Sequence, residues 1–162
     1  MKTKQLLLIM FFGALFFINK GTAQNYQTAV GLRFGGLTNG ITIKHFINKK
    51  SALEGIVSLG HENFIVTGLY EVHTGVDHSS LLNLYYGIGG HVGFFRNGSN
   101  YYYNNGHLYN ESTVAGIDAI LGLGYTFQNA PINIGMDFKP FIDFYNGGLI
   151  YFDGAISIRY TF

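Results

Sequence analysis

The chain has 162 residues, of which 12% are Asp, Glu, Lys or Arg and 17% are aromatic, with 23 Gly, 2 Pro and no Cys. Charged residues are about half as frequent as the roughly 25% typical of soluble domains, and a formal net charge of +1 offers no basic surface of the kind that binds nucleic acid. The lack of cysteine excludes disulfides, lipoprotein anchoring and thiolate metal sites.

The amino-terminal segment has the three parts of a secretory signal peptide. Lys2 and Lys4 form the positively charged amino-terminal region, and residues 6–18 form the apolar run that follows it. Gly21-Thr22-Ala23, just before Gln24, has the small residues of a cleavage site. The apolar run is short for a membrane-spanning helix, which needs roughly 20 residues. We therefore predict that residues 1–23 are a cleaved signal peptide and that residues 24–162 form one domain.

Beyond the signal peptide, apolar and polar side chains alternate with a period of two, which is the pattern of strands with one apolar face. The predicted strands cover residues 26–35, 41–47, 53–59, 64–73, 82–94, 115–127, 132–139 and 152–162. No helical periodicity competes with this pattern, and the chain contains only two prolines. The sequence therefore predicts an all-β fold.

Alternation alone does not say which face points inward. A soluble barrel of the lipocalin type would enclose the apolar face, but the low charge content would then leave a poor water-facing surface. A transmembrane barrel instead turns the apolar face to lipid and the polar face to the lumen. We predict the second arrangement, an eight-stranded antiparallel transmembrane up-and-down β-barrel.

In this orientation nine charged side chains face the lumen. They are Arg33, Lys44, Glu54, Glu71, Asp118, Asp137, Lys139, Asp153 and Arg159. Eight strands leave an interior just wide enough for side chains to fill it, and unpaired charges in such a space are costly. The sequence therefore predicts a lumen plugged by paired charges; the alternative is a narrow, porin-like path for a small solute or ion through the same network.

The longest connection, Arg96 to Ser112, is rich in Tyr and Asn. An even strand count with the amino terminus in the periplasm places it on the extracellular side, and the short turns at Asn48 and Gln128 in the periplasm. Tyrosine supplies rigid contact area and Asn, Ser and Gly supply adaptable hydrogen bonds. The candidate surface-binding residues, for a ligand such as a host surface, a glycan or lipopolysaccharide, are Arg96, Tyr101, Tyr102, Tyr103, His107 and Tyr109.

Aromatic residues near the strand ends predict two girdles at the membrane interfaces. The periplasmic girdle consists of Tyr26, Tyr125, Phe127, Tyr160 and Phe162. The extracellular girdle consists of Phe34, Phe64 and Phe94.

Enzyme chemistry has one candidate segment, His73 to Ser80, which contains Asp77, His78 and two serines. Some eight-stranded barrels modify lipid A with a Ser and a His, but turn formation explains this composition equally well. The six histidines are spread over separate strands and loops, with no metal-ligand spacing. We therefore predict no catalytic residues, no cofactor and no metal, and keep lipid A modification as a less favoured alternative.

The last residues, Ser157-Ile158-Arg159-Tyr160-Thr161-Phe162, resemble the carboxy-terminal signal read by the barrel-assembly machinery, with Tyr160 and Phe162 as its aromatic positions. Together with the leader and the alternation, they make the chain similar to small outer-membrane proteins of the OmpX/OmpA-barrel type, often labelled porin-like, and to barrels from Gram-negative Bacteroidota. The resemblance implies an integral outer-membrane monomer in contact with outer-membrane lipid and lipopolysaccharide. It implies a structural or surface-interaction role, and it transfers no catalytic residues.

Overall fold

A computed structural model describes residues 26–59, 63–76, 81–95, 113–144 and 150–162. The predicted signal peptide lies outside these ranges. Within them, no helix is long and apolar enough to cross a membrane.

Eight antiparallel strands form the described part of the chain. They are β1 (Thr28–Gly35), β2 (Gly40–Phe46), β3 (Ser51–Leu59), β4 (Asn63–Gly75), β5 (Leu82–Phe95), β6 (Thr113–Thr126), β7 (Ile132–Asp143) and β8 (Ile150–Thr161). Each strand pairs with its neighbours in sequence, and β1 also pairs with β8, so the sheet closes. This confirms the predicted all-β, eight-stranded, up-and-down antiparallel barrel.

The two ends of the barrel differ in what they carry. The start of β1, the end of β8 and the connections β2–β3, β4–β5 and β6–β7 lie at one end, which we call the terminal end. The other end, which we call the loop end, carries the connections β1–β2, β3–β4, β5–β6 and β7–β8. β5 ends and β6 begins at the loop end, and the segment between them that is predicted to bind at the surface lies outside the described residues.

The strands separate charged from apolar side chains. All ten Asp, Glu, Lys and Arg residues of the described strands are buried. Most outward positions carry apolar side chains, such as Ile88 and Met136, which are 71% and 62% exposed. Because strand side chains alternate between the two faces of the sheet, the interior is charged and the exterior apolar. This distribution is the reverse of that in a water-soluble protein.

Strand β7 continues through Pro140 to Asp143, beyond its predicted end at Lys139. Proline has no N–H to donate to a neighbouring strand. Pairing with β6 is accordingly absent at Lys139 and Pro140 and resumes in the same register at Phe141. The extension adds two inward side chains, Phe141 and Asp143, to the barrel interior.

Most of the predicted girdle residues point outward, where they contact each other in pairs. At the terminal end the ring centroids of Tyr125 and Phe127 lie 5.0 Å apart. At the loop end Phe64 and Phe94 stack with a centroid distance of 6.3 Å. Phe64 and Phe94 are direct partners on β4 and β5, and a cross-strand aromatic pair of this kind stabilises a sheet. Tyr125 and Phe127 are two residues apart along the chain and contact each other on the same outer face.

Tyr26 does not join the outward girdle predicted for it. Its ring packs edge-on against Phe46 at a centroid distance of 5.3 Å, and Phe46 contacts His73 in the interior at 4.8 Å. Tyr26 precedes β1, so the period of two does not determine the side to which it points. Burial raises the pKa of its hydroxyl, and its ring helps to close the terminal end.

A cysteine pair tests the closure between β1 and β8. Ala29 and Thr161 are direct partners, and the adjacent pair Thr28–Phe162 exchanges both backbone hydrogen bonds. Ala29 and Thr161 therefore form a non-hydrogen-bonded pair, in which Cα atoms lie about 4.5 Å apart, a separation that a disulfide can span. We expect Ala29→Cys/Thr161→Cys to form this bond and to resist maleimide labelling when denatured without reductant.

The matched control is Ala29→Cys/Ser157→Cys, because these two positions are not paired. It should be fully labelled under the same conditions. Full labelling of the test pair would contradict the closed barrel.

Candidate functional site

All nine charged side chains predicted to face the lumen lie in the interior, each at most 5% exposed. Four further buried side chains that can ionise join them among the described residues and were not identified from the sequence as part of the network: His73, Tyr85, His91 and Asp143. The hydrogen bonds and ion pairs divide these side chains into three clusters along the barrel.

The first cluster centres on Glu54 of β3. Arg159 of β8 donates from Nη2 to Glu54 Oε1 at 2.6 Å, and Lys44 Nζ lies 3.2 Å from Glu54 Oε2. Lys44 also lies 2.7 Å from Glu71 Oε2, and the Thr42 hydroxyl donates to Glu54. One buried carboxylate therefore ties β8 and β2 to β3, and Lys44 extends the cluster to β4.

The second cluster surrounds Arg33 near the loop end of β1. Its Nη1 lies 2.5 Å from Asp137 Oδ2, and its Nη2 lies 3.6 Å from Asp153 Oδ2. Asp153 also accepts a hydrogen bond from the Leu37 backbone N–H at 2.9 Å and one from the Thr38 hydroxyl. Leu37 and Thr38 belong to the β1–β2 connection, so this connection is held against the barrel interior.

The third cluster joins β5, β6 and β7 through His91. Its Nδ1 lies 2.7 Å from Asp118 Oδ2, and its Nε2 lies 2.9 Å from Asp143 Oδ1. Carboxylate oxygens only accept hydrogen bonds, so both ring nitrogens are placed to donate, as a charged imidazolium does. Lys139 Nζ contacts the other oxygen of Asp118 at 2.6 Å.

Tyr85 connects the first two clusters. Lys44 Nζ lies 4.1 Å from the centre of its ring, and His73 stacks on the ring at 5.2 Å. The Tyr85 hydroxyl donates to Asp137 Oδ2 at 3.4 Å. Its ring is therefore fixed on one side by a cation and at its tip by a carboxylate of the neighbouring cluster.

Two inward glycines make room for the large interior side chains. A Cβ added to Gly122 would overlap the ring of Tyr85, and one added to Gly135 would lie 2.7 Å from Arg159 Nη1. Tyr85 and Arg159 therefore lie directly on bare backbone. Without side chains at these glycines, the interior accommodates a phenol ring and a guanidinium at the same level.

The interior charges are directed at each other. The described strands contribute six acidic side chains and four Lys or Arg side chains to the interior, and His91 as an imidazolium adds a fifth positive charge. Among the described residues, no group of three His, Asp or Glu side chains could hold a metal ion. What this arrangement can do chemically is fasten strands to one another in a filled barrel.

The other predicted functional residues fall into two groups. The first group lies outside the described residues and consists of the loop residues Arg96, Tyr101–Tyr103, His107 and Tyr109 and of the segment 77–80, which contains His78 and two serines. Tyr160 faces outward near the end of β8, and Phe162 follows the strand with its side chain 48% exposed.

Comparison with known proteins gives weak likenesses only. No family model matches the chain, and no curated protein matches it in sequence. Among solved structures, it is similar to Neisserial surface protein A, with 13% identity and a TM-score of 0.46 over 83% of this chain and 93% of that one. It is also similar to the Yersinia pestis outer membrane protein Ail, with 9% identity and a TM-score of 0.48 over 85% and 100%. At this level the likenesses carry no argument about function, and the fold rests on the strand pairing itself.

Replacing Gly122 tests the packing of Tyr85. Gly122→Ala should lower the free energy of unfolding by about 1–3 kcal/mol, because the added methyl group overlaps a ring that cannot move without losing its contacts. The control is Gly124→Ala on the same strand and face, where the nearest atom to a Cβ, Asn133 Nδ2, is 3.6 Å away. The control should be neutral or slightly stabilising. Equal effects in denaturant titrations of the two variants would contradict the packing.

Replacing Arg159 tests the pairing in the first cluster. Arg159→Leu should cost about 3–5 kcal/mol of unfolding free energy, because it removes a charged partner of buried Glu54. Arg159→Leu/Glu54→Leu should regain part of this loss, since neither charge is then left without the other. Wild-type stability of the single variant, measured by denaturant titration in detergent, would refute the paired-charge model.

Proposed function

We propose that the chain is an integral β-barrel of a bacterial outer membrane with a structural or surface-interaction role and no open pore. The observation that carries this proposal is the inverted distribution of side chains. Every charged residue of the described strands is buried in the barrel, while outward positions such as Ile88 and Met136 are large, apolar and exposed.

The physical reason is the environment that an exposed apolar surface of this size requires. Exposed apolar patches larger than a few hundred Å² mark contact with a membrane or a partner, and here the apolar surface includes outward side chains from all eight strands. In hydrocarbon every backbone polar group must be satisfied within the protein, which a closed barrel achieves because it has no edge. The pairing of β1 with β8 provides this closure.

The connections between the strands support one orientation in the membrane. We place the terminal end in the periplasm and the loop end outside, because transmembrane barrels have short periplasmic turns and longer extracellular loops. The segment 96–112 is then extracellular, and its Tyr- and Asn-rich composition supports contact with a surface ligand or lipopolysaccharide. Tyr160 and Phe162 lie at the periplasmic end of β8, and their resemblance to an assembly signal supports recognition by the barrel-assembly machinery.

The interior does not favour conduction. The side chains of Arg33, Tyr85 and Arg159 are at most 1% exposed, and each contacts a partner from a different strand. A porin-like path would have to pass between charges that already contact one another. We therefore favour a plugged barrel without a solute channel and with a non-enzymatic role.

Gel mobility of the protein in isolated outer membranes tests the proposal. A folded membrane barrel resists unfolding by the detergent until it is heated, so we expect the protein in the outer-membrane fraction and a shift in mobility between unboiled and boiled samples. Arg159→Leu should lose this shift at a lower temperature than the wild type. A protein that remains in the soluble fraction and shows no shift would contradict the proposal.

A further inference from the structure

Only two charged residues of the described ranges lie outside the barrel interior. They are Lys49 and Lys50, consecutive and exposed in the β2–β3 turn at the terminal end. The other turn fully described at this end, between β6 and β7, consists of uncharged residues 127–131. The Asp, Glu, Lys and Arg side chains of the described exterior are therefore confined to this one turn, where both are positive.

The backbone of this turn is held by hydrogen bonds. Asn48 Oδ1 accepts from the backbone N–H groups of Lys50 at 2.9 Å and Ser51 at 2.8 Å. The Ile47 N–H donates to the Ser51 carbonyl at 3.0 Å, and the His73 N–H of β4 donates to the Lys50 carbonyl at 2.7 Å. The two lysines thus project from a fixed platform.

The lysines lie where the apolar exterior ends. Ile43 and Ile47 on the outer face of the same hairpin are about half exposed, at 51% and 50%. His45 lies between these two isoleucines on the outer face, and its Nδ1 is 2.9 Å from Thr28 Oγ1, so the outer face is polar at this position. Lysine can place its stem along apolar surface and its ammonium in the polar layer, so a membrane that covers the apolar exterior would bring both ammonium groups to the depth of its headgroups.

We propose that the β2–β3 turn binds the phosphate groups of anionic phospholipids in the leaflet at the terminal end. This inference rests on the proposed membrane function. The occupant follows from charge complementarity, because two ammonium groups beside an apolar belt match an anionic headgroup attached to an acyl chain. The interaction anchors one sector of the barrel rim to the periplasmic leaflet.

The expected strength follows from electrostatics at a membrane surface. A lysine near an anionic surface contributes about 1 kcal/mol, so two lysines correspond to a preference of roughly 10- to 30-fold over a neutral lipid at low salt. The Debye length shrinks to about 3 Å at 1 M salt, and the preference should fall accordingly.

A single tryptophan measures this preference locally, because the natural chain contains none. Ile47→Trp places the reporter beside the lysines, and Ile132→Trp places the control at the start of β7 beside the neutral β6–β7 turn. The full mature chain is folded into phosphatidylcholine vesicles containing brominated phosphatidylglycerol or brominated phosphatidylcholine. Fluorescence quenching then gives the relative association of the two lipids at each position.

We expect phosphatidylglycerol to be favoured at Ile47→Trp over Ile132→Trp by roughly 10-fold or more at low salt. Lys49→Gln/Lys50→Gln in the Ile47→Trp background should abolish the difference. An equal preference at both positions, or one that survives this double substitution, would overturn the inference while leaving the membrane barrel intact. A lack of quenching by brominated phosphatidylcholine at both positions would overturn the membrane proposal and the inference with it.

Discussion

The pairing of charges in the closed interior is the constraint on which the rest of the structure depends. Arg159 of β8 contacts Glu54 of β3, and Arg33 of β1 contacts Asp137 of β7. These partners come from strands that are not adjacent, so the pairs are made only when the barrel is closed. A slip of one residue in any strand would turn its buried charges toward the apolar exterior. The ion pairs therefore specify strand register as well as interior packing.

Specifying the strand register is a different role for the ion pairs from adding to the stability of the fold. A buried ion pair loses hydration energy that its Coulomb attraction barely offsets, although removing one partner is strongly destabilising. In the proposed membrane setting, the free energy that favours the barrel comes instead from the closed ladder of backbone hydrogen bonds and from the contact of the apolar exterior with lipid. The interior clusters then select one register among those that the ladder alone would permit. The bare backbone at Gly122 and Gly135 belongs to the same selection, because it admits Tyr85 and Arg159 at one level.

The sequence was sufficient to predict the strands and their faces, because a period of two assigns each side chain to one face of a strand. The sequence could not show which charged residues contact each other, since partners such as Arg159 and Glu54 are 105 residues apart. Asp143 was missed because the predicted strand ended at Lys139, whereas β7 continues through Pro140 with an interrupted ladder. Tyr26 was placed on the wrong side because it lies outside the regular alternation. Nothing in the sequence marked His91 as a member of the charge network, since its two carboxylate partners come from other strands.

Cysteine substitution along β8 tests the central claim most directly, with the protein folded in vesicles and single cysteines placed at Ile156, Ser157 and Ile158. The inside-out barrel predicts that Ile156→Cys and Ile158→Cys react with a thiol reagent dissolved in the membrane and resist a water-soluble one. Ser157→Cys should resist both, because its position is fully buried in the plugged interior. Reaction of the two outward positions with the water-soluble reagent would contradict the account.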